Sequence, residues 1–452
     1  MRTARDIDRK KVADLLARER ARFCEERPRS RAIAGAADAH LLFGVPLHWM
    51  RDWPTPFSLF VESARAAEVV DVDGHRYADF CLGDTGAMFG HSPAAVAEAV
   101  ARQAARGLTA MLPSADAPRV AEELARRFGL PRWQWAMSAS DANRFALRWA
   151  RATTGRDHLL VFNGCYHGTV DEAFVDLVDG VPRARTSLLG QAHDPARFTR
   201  VVEFNDLAAL DAALADRQVA CLMAEPAMTN IGMVLPEPGF WDEAAALCRR
   251  HGTLLVLDET HTLSSGPGGY AREHGLAPDM LVLGKPVAGG VPCAVYGMSA
   301  DLARRAERAK RDKPEGHSGI GTTLSGNALA MAAMRATLES VATPEAYRHM
   351  FRLAKRLENG LADAIAEAGF GWCVTRIGAR VEFQFVSRAP RNGSEAAAGF
   401  DDELEALAHL FLLNRGFMIT PFHNMLLVCP DTREEVVDGL IAVFAQWLGA
   451  LS

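Results

Sequence analysis

The 452 residues predict an α/β chain with a large domain on a mostly parallel sheet and a smaller α+β domain. Three observations carry this. Short apolar runs, HLLVF, VACLMAEP, GTLLVLDE, DMLVLG and CAVYGM, alternate with helical stretches such as 242–251 between about residues 117 and 300. Continuous rather than alternating apolarity is what a strand covered by helices on both faces needs. After Asn327 the pattern changes to helices over 327–341 and 344–367, strands VEFQF, FMIT and MLLVC, and a last helix after Thr432. The hydrophobic share of 49% against 23% charged residues supplies a core for both lobes. The expected organisation is an N-terminal segment 1–75 joining the small domain, a large domain 76–330 and a C-terminal small domain 331–452.

Residues 7–24 read as an amphipathic helix. The aromatic stretch LLFGVPLHWMRDWPTPFSLF then serves either as a docking arm or as a pocket wall. VVDVDGHRYADF holds two strands around an Asp73-Gly74 turn. Ser92 and Pro93 suit the N-cap and first position of a helix reaching about Arg106. Residues 176–196, rich in Gly, Pro and charge, could form a loop that closes over a site.

A net charge of −6 provides no global basic field for nucleic acid or an anionic membrane surface. The eight cysteines are scattered without a CxxC pair, which points to reduced thiols rather than to a zinc cluster or a disulfide framework. The first residues are charged, and no apolar run approaches the roughly 20 residues that span a bilayer. A soluble, cytoplasmic protein is expected.

Six lysines are present, and five of them, Lys10, Lys11, Lys310, Lys313 and Lys355, sit among charged or polar residues. Lys285, in LVLGKPVAGGVP, follows a buried-type strand and precedes a glycine-rich apolar turn. Desolvation there favours the neutral amine that Schiff-base chemistry requires, whereas a strand-end lysine can also simply reach out to water. TLLVLDETH puts Asp258 and Glu259 at the end of an apolar strand, where parallel sheets bind ligands. An ionised carboxylate there can keep a pyridine nitrogen protonated, or it can cap the next turn. In AMSASDANRFALRWARATTGR, Ser138, Ala139 and Ser140 open a helix whose free N–H groups suit a phosphate, although many helices start with Ser. FNGCYHG places Tyr166 and His167 just after HLLVF, as an aromatic platform or as buried structure.

In this order, with the anchors FNGCYHG, LLVLDET, LGKPVAGG and GTTLSGNALAMAA, the chain resembles the class III aminotransferases, pyridoxal-phosphate enzymes of fold type I. Its pattern is nearest the glutamate-1-semialdehyde aminomutase branch, and the resemblance runs from about VVDVDGHRYADF to the C-terminal helix. It implies pyridoxal 5′-phosphate as cofactor, held by Lys285 as a Schiff base, with Asp258 on the ring nitrogen and Tyr166 stacked on the ring. Ser138, Ala139 and Ser140 would cradle the phosphate. His167, Glu225, Thr260 and His261 would complete the cofactor site, the last two near the ring face and its phenolic oxygen. Thr323 would reach the phosphate of a neighbouring subunit, implying a homodimer with shared active sites, and Thr322 beside it is a further cofactor-binding candidate.

Departures from the family pattern are Ala139 for a glycine, Asp141 for a glutamate, Thr260 and His261 after Asp-Glu, and Leu263–Gly269 in place of a Gly-Phe-Arg type continuation. Ala139 cannot easily adopt positive φ, so a reshaped phosphate turn is expected. The favoured activity is ping-pong transfer of an amino group from an amine or amino acid to a keto acid. The alternative is an intramolecular 2,1-aminomutase of the glutamate-1-semialdehyde type. A metal-dependent hydrolase using His167, Asp258 and His261 is the remote third reading, and it lacks a compact ligand motif. For substrate, Trp49, Trp53 and Phe89 (with Phe57) would wall a pocket for bulky or aryl amines unless they are core, and His423 with Asn424 would border it. Arg380, Arg415 and Arg144 are candidates for a carboxylate.

Overall fold

The computed structural model describes residues 3–452 and divides into two compact units. One comprises Ala94–Pro344 and Pro390–Ala398; the other comprises Met1–Pro93, Glu345–Ala389 and Gly399–Ser452.

The first unit is built on seven strands: β1 (Arg132–Ala136), β2 (His158–Phe162), β3 (Thr199–Val202), β4 (Val219–Ala224), β5 (Leu254–Asp258), β6 (Met280–Leu283) and β7 (Ala294–Met298). Their order across the sheet is β1-β7-β6-β5-β4-β2-β3. Only β7 runs antiparallel to its neighbours. β4, β5, β6 and β7 are buried at every position, which is why their sequences are apolar without alternation. The predicted mostly parallel sheet is thus observed.

Helix α1 (Ala139–Thr154) follows β1. Ser138 caps it by accepting from the Asp141 N–H at 3.2 Å, and Gly155 ends it in the left-handed conformation at φ 68°. Its Ala142, Phe145, Ala146, Leu147 and Ala150 pack into one core with Val161, Met223, Val256, Val282 and Tyr296 of the sheet. Register sets the strand ends: Asp258 pairs with Val282, and Leu257 with Ala224. The last residue of β5 therefore emerges beside the end of β6, just before Lys285.

Within 176–196 the chain forms an antiparallel ribbon, Val175–Val178 with Val181–Ala184, rather than an open loop throughout. Arg185 pins it through Asp176 at 2.7 Å and the Cys165 carbonyl at 3.0 Å. The helix expected from Ser92 begins at Ala94, and Ser92 itself sits at φ 50°.

In the second unit the predicted hairpin is formed by Glu68–Asp71 and Arg76–Asp79 around Gly74, whose φ is 90°. A second sheet joins Cys373–Ile377, Arg380–Gln384 and Met425–Leu427. Phe370, Trp372, Phe383, Phe385, Phe444 and Trp447 form its aromatic core, with centroid separations such as 4.6 Å for Phe370–Trp372 and 4.9 Å for Phe383–Phe444. All eight cysteines are free thiols. No described helix is long and apolar enough to cross a membrane.

Candidate active site

The end of β5 carries a buried polar cluster. Asp258 Oδ2 accepts from Asn143 Nδ2 at 2.8 Å and meets His167 Nδ1 at 3.0 Å. Its Oδ1 accepts from the Thr260 hydroxyl at 2.6 Å and the Thr260 N–H at 3.1 Å. Asp258 thus both caps its own turn and pairs with His167. Burial pushes the pKa of this carboxyl up, but His167, Thr260 and Asn143 outweigh it and lower it to about 2. For His167, burial opposes a charge, and the Cys165 sulfur and the Asp258 carboxylate outweigh it, raising the imidazole to about 10. Asn143 also donates to the His167 carbonyl at 3.1 Å, so one amide fixes both members of the pair.

Asn143 is a site residue that sequence reasoning missed. Its signal was a polar side chain inside the apolar stripe Asn143-Ala146-Leu147-Ala150 of α1. Glu259 is a second. Fully buried, it accepts from the N–H groups of Tyr270 and Ala271, the latter at 2.7 Å, and from the Thr262 hydroxyl at 3.2 Å. Burial pushes its carboxyl up to about 7. Gly269, at φ 70°, has no room for a side chain beside that carboxylate. Thr262, Tyr270 and Ala271, which bracket the Leu263–Gly269 departure, therefore close around Glu259.

Lys285 is half-buried at the turn after β6, and its Nζ lies 2.9 Å from His261 Nε2. Tyr166 is 40% exposed and meets Phe174 edge-on at 6.3 Å, so its ring is part of the surface rather than of the core. Ser140 Oγ accepts from the Thr169 N–H at 3.0 Å, tying the start of α1 to the Tyr166–Thr169 loop. Ala139 lies in the first helical turn and Ser138 is extended at φ −145°, so this turn does not use positive φ. Glu225 is buried with its carboxylate on Thr229, whose hydroxyl donates at 2.5 Å, and burial raises its pKa. Thr322 and Thr323 are exposed, with the Thr322 N–H donating to Ser325 Oγ at 3.1 Å.

Asp258, His167 and Thr260 are thus joined in one network, and Lys285 is joined to His261. Trp49, Trp53, Phe89 and His423 belong to the other unit. There Trp49 is exposed and edge-on to Phe422 at 5.9 Å. Trp53 borders a small void with His409 and Leu410. Phe89 is buried edge-on to Tyr347 at 6.0 Å. His423 is buried with Nδ1 at 3.1 Å from Glu382; burial opposes its charge, but that carboxylate raises the imidazole. Among the arginines, Arg415 is held by Glu19 at 2.9 Å, Arg144 by Thr169 at 3.0 Å, and the buried Arg380 donates to Thr85.

The family described as Aminotransferase class-III matches residues 50–437. The chain belongs to this family. The class III chain is 36% identical over 399 residues to a glutamate-1-semialdehyde 2,1-aminomutase from Sorangium cellulosum, covering 87% of the former and 89% of the latter. A glutamate-1-semialdehyde aminomutase from Pseudomonas aeruginosa PAO1 superposes with a TM-score of 0.97 at 50% identity, over 99% and 100% of the two chains. A lysine-to-alanine variant of that relative has been solved in complex with PMP. A beta-phenylalanine aminotransferase from Variovorax paradoxus superposes with a TM-score of 0.86 at 26% identity over 97% of both chains. The architecture is that of fold type I pyridoxal-phosphate enzymes, and pyridoxal 5′-phosphate is the cofactor of this class III enzyme.

The residues present fit that group. A charged carboxylate at a strand end suits the pyridinium, a helix start with two serines suits the phosphate, a half-exposed ring suits stacking, and an amine suits the carbonyl. Gly284 shows how tightly the helix start is seated: a Cβ there would lie 2.7 Å from Ala139 Cβ, although its backbone, at φ −133°, would accept any residue. Gly284→Ala is accordingly expected to cost about 1–3 kcal/mol by overpacking. Adding Ala139→Gly should restore most of it, as read from denaturant midpoints. A double variant no more stable than the single one would show that the clash is not with Ala139.

Proposed function

We propose that this class III enzyme moves an amino group within one substrate, as a 2,1-aminomutase of the glutamate-1-semialdehyde type. The observation that carries the chemistry is Lys285 at the turn after β6 beside Asp258 at the end of the adjacent β5. The likeness to the Sorangium and Pseudomonas aminomutases supports rearrangement over intermolecular transfer.

When bound, pyridoxal phosphate supplies an electrophilic carbonyl and a ring that accepts the electron pair left when a proton leaves the substrate carbon beside nitrogen. Lys285 would hold the cofactor at that carbonyl through Nζ, and its amine would take up and return the proton of the substrate carbon. Asp258, anionic and buried, would hold a proton at the ring nitrogen, while Asn143 and His167 fix its Oδ2 and Thr260 its Oδ1. Tyr166 covers one ring face. Ser138, Ala139 and Ser140 bind the phosphate at the start of α1. Thr260 and His261 lie beside the ring, and Glu225 supports the His167 side of the pocket. Thr322 and Thr323 complete the phosphate site of a second copy in a cytoplasmic homodimer, for which light scattering should give twice the chain mass.

A second reading, ping-pong transfer from a bulky or aryl amine to a keto acid, is favoured by the likeness to the Variovorax aminotransferase and by exposed Trp49 beside Phe422. One experiment separates the two. Turnover of glutamate 1-semialdehyde alone is compared with turnover of amine panels with and without pyruvate or 2-oxoglutarate. The aminomutase converts its substrate with no keto acid present, and an absolute requirement for one would overturn that reading.

A further inference from the structure

The contact between Lys285 and His261 joins residues on adjacent strand ends, 24 positions apart in the chain. His261 is buried immediately beyond Asp258-Glu259-Thr260, and its Nε2 lies at hydrogen-bond distance from Nζ. Lys285 holds φ 44°, a left-handed conformation unfavourable for a residue with a side chain, at the first position of a short turn over Lys285–Ala288. The backbone therefore spends conformational energy at the residue whose amine meets this imidazole. An Nζ–H donating to Nε2 requires His261 to present that nitrogen's lone pair, which is the arrangement of a proton acceptor.

We propose that His261 is the proton partner of Lys285. The Nζ–H bond of the ammonium breaks, the proton passes to Nε2, and the amine is left with a free electron pair while the imidazole carries the charge. The reverse step returns the proton. Charge and atoms balance between the two side chains, so no co-reactant is needed. The other buried ionisable groups at these strand ends are Asp258 at the end of β5, Glu259 directly after it, His167 after β2 and Glu225 after β4. The proposal rests on Lys285 being the amine that bonds the cofactor.

The test reads attachment rather than turnover. Apoprotein is mixed with pyridoxal phosphate, the rate of covalent attachment is followed by absorbance, and the attached residue is located by borohydride reduction and peptide mass. His261→Gln retains an acceptor for Nζ but cannot carry the proton. It should slow attachment by about 100-fold at neutral pH, the lower end of what general acid–base groups contribute. His261→Ala should be slow as well and should be accelerated by added imidazole, which should leave the wild type unchanged. Attachment by His261→Gln at the wild-type rate, or no response of His261→Ala to imidazole, overturns the proposal. Attachment that persists in Lys285→Ala would instead overturn the assignment of Lys285, so the two failures are distinct.

Discussion

Lys285→Ala is expected to lose turnover by about 10⁴-fold or more, the combined scale of losing a nucleophile and a proton-transfer group at one position. Its cofactor-loaded spectrum should lack the band at about 410–430 nm that a lysine-linked cofactor gives. The fold should persist, because the side chain is only half-buried at the turn after β6. Alanine at φ 44° bears the same backbone cost as lysine, so no new strain is introduced at the turn. Thermal midpoints of variant and wild-type apoprotein should therefore agree closely. A Lys285→Ala enzyme with full turnover would remove the central assignment, and one that fails to fold would show that the turn depends on the lysine itself.

The residues that made this site legible are those whose burial is written into local sequence. LLVLD and VACLMA announce strands because every position is covered, and an Asp or Lys directly after such a run stands out. β1, RWQWA, alternates exposed and buried positions at the sheet edge, so it carries no continuous apolar signal and escaped notice. The ribbon at 175–184 overlaps the stretch 176–196 whose composition suggests a loop closing over a site, since the contacts that pin it, Arg185 with Asp176 and with the Cys165 carbonyl, are specified by tertiary placement. Pairing is harder still to read. Asn143 reaches Asp258 across 115 positions and His261 reaches Lys285 across 24, and only the order of parallel strands brings them together. The departure at Ala139 was legible, but its accommodation by Gly284 was not, because close approach between a helix start and a strand end leaves no trace in either segment.

Asp258→Asn is expected to lower turnover at least about 100-fold, the scale on which one fixed charge acts on charge developing in a transition state. The ring nitrogen would lose its anionic partner and with it the proton that makes the ring an electron sink. The shape of the site should survive. His167, no longer beside a carboxylate, is driven neutral by burial and can then accept from the new amide at Nδ1. Stability should report the same exchange. Asp258 titrates at about 2 in the folded protein against an ordinary 3.8, so its contribution is present above 3.8 and is lost as pH falls toward 2. His167 titrates at about 10 against 6.5, so its contribution is complete below 6.5 and is lost as pH rises through about 10. The stability gap between wild type and Asp258→Asn should therefore be widest between those two ordinary values and narrow on either side, as urea midpoints measured across pH would show. A gap that does not vary with pH would mean that the two side chains are not an ion pair, and near-normal turnover in the variant would mean that another group holds the proton on the ring.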